Sequence, residues 1–112
     1  MRLYTSYYAN SRNLDLGKCV GISIGRPVPI PVIEELVPSP YVYSSKGDEL
    51  EYTKRYLRQL YSLDVNEILM KIYSITGDNS ILLCYEGQGK FCHRHIVSRW
   101  ITYNSGVIVT EI

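Results

Sequence analysis

Short β-prone runs open this chain, helix-period patterns fill its middle, and strand and helix patterns alternate toward its end. Residues 3–8 form a first β-prone stretch, and Cys19-Val20-Gly21-Ile22-Ser23-Ile24 a second, stopped by Gly25-Arg26-Pro27. Five prolines then fall between Pro27 and Pro40. They remove backbone donors and fix φ, which disfavours a helix or a central strand and predicts an extended surface loop or lid. Residues 48–62 carry Leu50, Leu57, Leu60 and Tyr61 with Lys54, Arg55 and Arg58 between them, the spacing of a helix with one wet face. A second helix begins after Asp64, which caps its free amides with Glu67 as capping-box partner. Val65, Ile68, Leu69, Ile72 and Tyr73 form its apolar stripe, and Gly77 ends it.

Beyond the Gly77-Asp78-Asn79 turn, Ser80-Ile81-Leu82-Leu83-Cys84-Tyr85 is nearly continuous apolar sequence, as expected of a strand buried on both faces. A polar turn, Glu86-Gly87-Gln88-Gly89-Lys90, leads to a helix over residues 92–103 with Ile96, Val97, Trp100 and Ile101 inward, stopped by Asn104-Ser105-Gly106. Val107-Ile108-Val109 reads as the last strand. Strand, helix, strand at this spacing predicts a right-handed parallel crossover. The expected fold is therefore α/β: residues 1–112 as a single three-layer domain, with a mostly parallel four-stranded sheet and helices on its faces.

Composition agrees with one compact domain. The chain has 112 residues, 46% hydrophobic and 21% charged, enough for one core and too few for two. A formal net charge of +1 gives no global attraction to a polyanion, so nucleic-acid binding is not supported by charge and would need local cations. Eleven tyrosines dominate the aromatics. Amphipathic packing is the plainer explanation for them, a ring-stacking pocket the more functional one. Three cysteines, an odd number, and an N-terminus without a signal-like apolar core point to a reduced, cytoplasmic setting. No apolar run reaches the roughly 20 residues needed to span a bilayer, so no membrane association is expected. Oligomeric state is not encoded in any feature of the pattern.

Ligands of open α/β sheets bind beyond the carboxyl ends of the strands. That rule selects Thr5, Ser6 and Tyr7 after the first strand, and Ser23, Gly25 and Arg26 after the second. Around the third strand and its helix it selects Cys84, Glu86, Cys92, His93 and Arg94. Cys92, at a helix start, is placed where the dipole and free amides favour a thiolate, hence a nucleophile; the plainer reading is a small packing residue, which suits Cys84 better. Arg94 in a first helical turn opposes the dipole and calls for an anion, either Glu86 or a ligand phosphate; Arg26 carries the same two readings. His93 and His95 project about 200° apart on a helix and do not share a metal. A zinc site of Cys84, Cys92 and His93 lacks the paired knuckle spacing of specific zinc motifs, so no metal is assigned. With no P-loop, dinucleotide fingerprint or serine elbow, no cofactor is expected.

Leu82-Leu83-Cys84-Tyr85-Glu86 followed by Cys92-His93-Arg94 resembles the signature of the DUF488 family of bacterial, archaeal and phage α/β domains. Leu3-Tyr4-Thr5-Ser6-Tyr7 resembles the start of the family's first strand and Ser23-Ile24-Gly25-Arg26-Pro27 the Arg-containing end of its second, whereas residues 29–50 show no family feature. The resemblance implies a compact α/β domain with Cys84, Glu86, Cys92 and Arg94 as site residues, with Arg26 beside them. It implies no reaction. The expectation drawn from the residues is a nucleotide- or nucleic-acid-related enzyme, with Arg26, Arg94 and the helix amides holding phosphate, Glu86 as acid or base and Cys92 as nucleophile. The alternative is a non-catalytic phage or bacterial accessory module that binds a nucleotide or host protein through the same cleft.

Overall fold

The computed structural model describes residues 1–25 and 27–112. The sheet is entirely parallel, with strands β1 (Leu3–Tyr7), β2 (Cys19–Gly21), β3 (Ser80–Cys84) and β4 (Val109–Glu111) in the spatial order β2-β3-β1-β4. Helices α1 (Pro40–Tyr43), α2 (Glu49–Tyr61) and α3 (Val65–Thr76) fall between β2 and β3, and α4 (His93–Ser105) between β3 and β4. The α/β expectation holds.

The caps explain the helix boundaries. Asp48 accepts from the Glu51 amide at the start of α2, and Asp64 accepts from the Asn66 and Glu67 amides at the start of α3. Each carboxylate satisfies donors that lack an intrahelical partner and lies at the positive end of the dipole. Gly77 (φ 74°) and Gly106 (φ 78°) end α3 and α4 in the left-handed half of φ space, where a side chain is penalised.

Strand alternation divides the core in two. Leu3, Val20, Leu82 and Cys84 point to one face, where they pack with the buried stripes of α2, α3 and α4, including Tyr56, Ile72, Val97 and Trp100. Cys19, Ile81 and Leu83 point to the other, against Tyr8 and Ile30, with Tyr4, Leu14 and Val28 at the margin. The four α-helices thus gather on one face, and the second face is covered by 3-10 turns at Tyr8–Asn13 and Leu16–Lys18 and by the proline-rich segment.

That segment is where the surface-loop expectation fails. Before α1 starts at Pro40 its helix is confined to one 3-10 turn at Glu34–Leu36, but Ile30, Ile33 and Leu36 are buried, and Val32 forms a parallel bridge with Gly21 at the edge of the sheet. Apolar residues interleaved with the prolines make it a packed wall. The second strand is also shorter than its apolar run, ending at Gly21.

The last strand needs a larger correction. Val107-Ile108 belongs to the connection out of α4, and β4 begins at Val109. Leu3 then faces Val109 and Thr5 faces Glu111, which puts Glu111 on the helix-covered face. This two-residue shift brings a carboxylate to Arg94.

Candidate functional site

β3 delivers Cys84 at its carboxyl end, and α4 starts eight residues later with Cys92 as its N-cap and His93 and Arg94 in its first turn. Every residue of β3 is buried, as its continuous apolar sequence predicts. Cys84, Cys92, His93 and Arg94 are all buried too, Arg94 completely.

A fully buried guanidinium is sustainable only if its donors and charge are met. Here Nε donates to both Glu111 carboxylate oxygens at 3.1 and 3.2 Å, and Nη2 donates to Glu111 Oε2 at 2.9 Å. Nη1 donates to the Glu86 carbonyl at 2.5 Å and to Cys84 Sγ at 3.2 Å, and Nη2 also donates to the Gly87 carbonyl at 3.4 Å. Glu111 is held in turn by the Thr5 hydroxyl. Burial alone would push the Glu111 carboxyl up, but hydrogen bonds from Arg94 and Thr5 and the charge of Arg94 outweigh it and leave it below the usual range.

The carboxylate answering Arg94 is therefore Glu111, and Glu86 contributes a backbone carbonyl. The reason is geometric: Arg94 points under the sheet toward the carboxyl ends of β1 and β4, while the Glu86 side chain faces an open cleft. Glu111 escaped the sequence reading because the last strand was placed two residues early. The position of Arg94 in a first helical turn signalled that an anion was needed, and Glu86 was the acid nearest to it in sequence.

His93 packs edge-on to Tyr56, with ring centroids 5.5 Å apart, and its Nε2 hydrogen-bonds to the Ile22 carbonyl. A carbonyl only accepts, so Nε2 bears the proton and Nδ1, 3.8 Å from Cys92 Sγ, presents a lone pair. Burial lowers the His93 pKa to about 4, so the ring is neutral near neutral pH. The sulphurs of Cys84 and Cys92 are bonded to each other, and Cys19 is a free, buried thiol. The turn returns α4 to the end of β3 and so brings the two sulphurs together.

Above this cluster lies a cleft of about 570 Å³, within the size range of small-molecule sites. Among the described residues its rings are Tyr43, Tyr52, Tyr85 and Phe91, its cations Lys46 and Lys90, and its acids Asp48, Glu49 and Glu86. Tyr52 meets Phe91 edge-on at 5.5 Å, and burial pushes its phenol up, with the negative charge of Glu86 acting in the same direction. Tyr85 packs on Tyr8 and lies so close to Gly25 that a Cβ there would sit 2.5 Å from the phenol oxygen. Gly25 thus leaves the room that lets Tyr85 lie here as one wall.

Of the residues the sequence selected, Ser23, Gly25, Glu86, Cys92 and His93 line this cleft, and Cys84 lies directly beneath through its bond to Cys92. Ser23 is tied to Tyr8 and to the Gly25 carbonyl. Ser6 is buried away from the cleft, donating to the Ile112 carbonyl and accepting from Asn10, and the Tyr7 ring lies 5.7 Å from the Arg94 guanidinium. The expectation for Arg26 lies outside the described residues. Lys46, Lys90, Tyr52 and Phe91 were not selected; they lie in turns and helix starts with no motif of their own. Among the described residues no helix is long and apolar enough to cross a membrane. Comparison with family models, curated proteins and solved structures returns no match to this chain.

Proposed function

We propose that the cleft binds a small ligand of nucleotide type and that, in the reduced protein, Cys92 is its reacting sulphur. The observation that carries this reading is the composition of the cleft at the carboxyl edge of β2 and β3. Aromatic walls suit a planar base, carboxylates suit sugar hydroxyls or ring amines, and Lys46 and Lys90 suit a phosphate. The start of α4 adds its dipole, and no side chain caps it. Arg94 supports the site from below, since its donors are already engaged by Glu111, Cys84 and the 86–87 carbonyls. The phosphate role expected for Arg94 passes in this reading to the two lysines. His93 Nδ1 lies 3.8 Å from Cys92 Sγ and can accept a hydrogen bond from its thiol, while burial keeps the ring a weak base. The resemblance to the DUF488 signature points to the same cysteines.

A binding module without chemistry is the second reading, favoured by the Cys84–Cys92 bond, which occupies the sulphur that would react. Thermal denaturation with nucleotides and phosphorylated sugars tests the binding step. A ligand at 100 times its Kd stabilises by about 2.7 kcal/mol, and Lys46→Ala with Lys90→Ala should remove the rise in Tm. Absence of any rise across the panel overturns the reading. Iodoacetamide labelling of Cys92 at neutral pH in reduced protein separates the enzyme from the module: an inert thiol with retained ligand stabilisation leaves only the module.

A further inference from the structure

Cys84 Sγ, Cys92 Sγ and a ring nitrogen of His93 all lie within 4.8 Å of one another, and the three residues are buried. Two neighbours orient these donors. The Ile22 carbonyl holds His93 Nε2, leaving Nδ1 to face the sulphurs, which is how an imidazole ligand is aimed at a metal by a partner on its far nitrogen. Arg94 Nη1 donates to Cys84 Sγ at 3.2 Å, a contact that favours the sulphur as an acceptor, hence as a thiolate.

We propose that in the reduced protein Cys84, Cys92 and His93 hold one divalent cation of the zinc class at the floor of the cleft. Two sulphurs and one imidazole nitrogen match the donor preference of zinc and offer nothing to the oxygen-seeking magnesium or calcium ions. The charges balance: two thiolates neutralise a divalent cation, while Arg94 remains neutralised by Glu111. Without a cation, the countercharge nearest two buried thiolates would be Arg94, which donates to Cys84 Sγ and is already paired with Glu111. Cys92 and His93 line the cleft, so the fourth position of a tetrahedral site opens toward it, to water or to a ligand oxygen. The spacing of Cys84 and Cys92 resembles no zinc knuckle because the fold, through β3 and the start of α4, brings the ligands together.

The bonded pair must first be opened. A phosphine with water reduces the disulfide to two thiols and becomes the phosphine oxide. The cation then displaces one proton from each thiol as two metal–sulphur bonds form. The inference does not rest on nucleotide binding: it concerns the reduced chain with metal, in which Cys92 and His93 are ligands, whereas the nucleophile reading concerns the reduced chain without metal, and the test here uses the metal alone.

The full chain, reduced with a phosphine and freed of metal by chelation, is titrated with cobalt(II) and then zinc(II). One cobalt per chain is expected, with a thiolate-to-cobalt charge-transfer band that zinc removes. The oxidised chain should take up none. His93→Gln should weaken binding by roughly 100-fold or more, beyond the upper range for loss of an outer-shell partner, and Cys84→Ser should remove the band. Far-UV circular dichroism shows whether the variants remain folded, and wild-type protein supplies an independent measure, because bound zinc should slow iodoacetamide labelling of Cys92. Reduced wild-type protein without the cobalt band, or unchanged labelling in zinc, overturns the proposal, as does a band that survives in folded His93→Gln and Cys84→Ser chains.

Discussion

Arg94 has no exposed surface, while the Glu111 side chain keeps 29% of its own, so the two partners have unequal alternatives. Removing Glu111 strands a cation beneath the sheet; removing Arg94 leaves a carboxylate that water can still reach. Glu111→Ala should therefore cost roughly 3 to 5 kcal/mol, the range for an orphaned buried charge, and Arg94→Met should cost less. Denaturant unfolding of both single variants and the double variant gives their coupling, expected within roughly 0.5 to 3 kcal/mol for contacting residues. Additive effects would show that the pair contributes nothing as a pair. The same carboxylate makes stability depend on pH. Its folded pKa is depressed by Arg94 and Thr5, so the unfolded chain takes up a proton first as pH falls. The contribution is complete above the unfolded value near 4.3 and is lost as pH drops through the lower folded value. Urea midpoints between about pH 3 and 6, wild type minus Glu111→Gln, should decline toward the acid end of that range; a flat difference would remove Glu111 as the titrating group. Arg94 as a residue needing an anion was legible in the sequence from helix position alone. Which acid answers it depended on strand register.

The elements that were legible are those whose local signals agree. α2 and α3 each begin directly after a capping Asp, of which Asp64 was read as one from sequence, but their stripes are only partly as read: Leu50, Tyr61 and Tyr73 are exposed, and in α2 Tyr52 and Tyr56 are buried instead. α4 has a stripe and a glycine stop but starts on an uncapped Cys92, and its span was still recovered to within two residues of His93–Ser105. The expectation that Ile96 and Trp100 face inward holds, Trp100 being 2% exposed. Four residues apart, they share one side of the helix. Trp100→Ala should cost roughly 3 to 5 kcal/mol, read as a lowered urea midpoint; wild-type-like unfolding would mean that the helix repacks without its largest side chain. Elements defined by pairing were less legible. Within residues 107–111, Val107-Ile108-Val109 is the most apolar stretch and attracted the strand assignment, yet Thr110 and Glu111 pair with β1 because the αL turn at Gly106 consumes two residues before the chain reaches the sheet. The proline-rich segment misled for a related reason. Its prolines report a lack of helix, whereas its burial comes from the isoleucines and leucine between them, whose partners lie on distant elements.

At the scale of the molecule, sheet order decides what the last four residues hold together. β4 is an edge strand, and it pairs with β1 alone. Edge strands of three residues ordinarily contribute little. This one carries Glu111, which reaches Arg94 in α4 and Thr5 in β1, and it is followed by Ile112, whose amide donates to the Thr5 carbonyl and whose carbonyl accepts from Ser6. Arg94 in turn holds the carbonyls of Glu86 and Gly87, which form the turn beside the cleft. A chain of contacts thus runs from the final strand, through the buried guanidinium, to the site. Truncation after Ile108 should consequently do more than fray an edge. It leaves Arg94 buried without its carboxylate and frees the 86–90 turn, so the expected result is loss of the cooperative thermal transition, or a midpoint far below that of Glu111→Ala alone. Truncation after Glu111, which removes the Ile112 contacts and keeps the carboxylate, should retain a cooperative transition. If both truncations lose the transition, the Ile112 contacts to Thr5 and Ser6 carry the effect, and if both keep it, neither the β4 pairing nor the Arg94–Glu111 connection does.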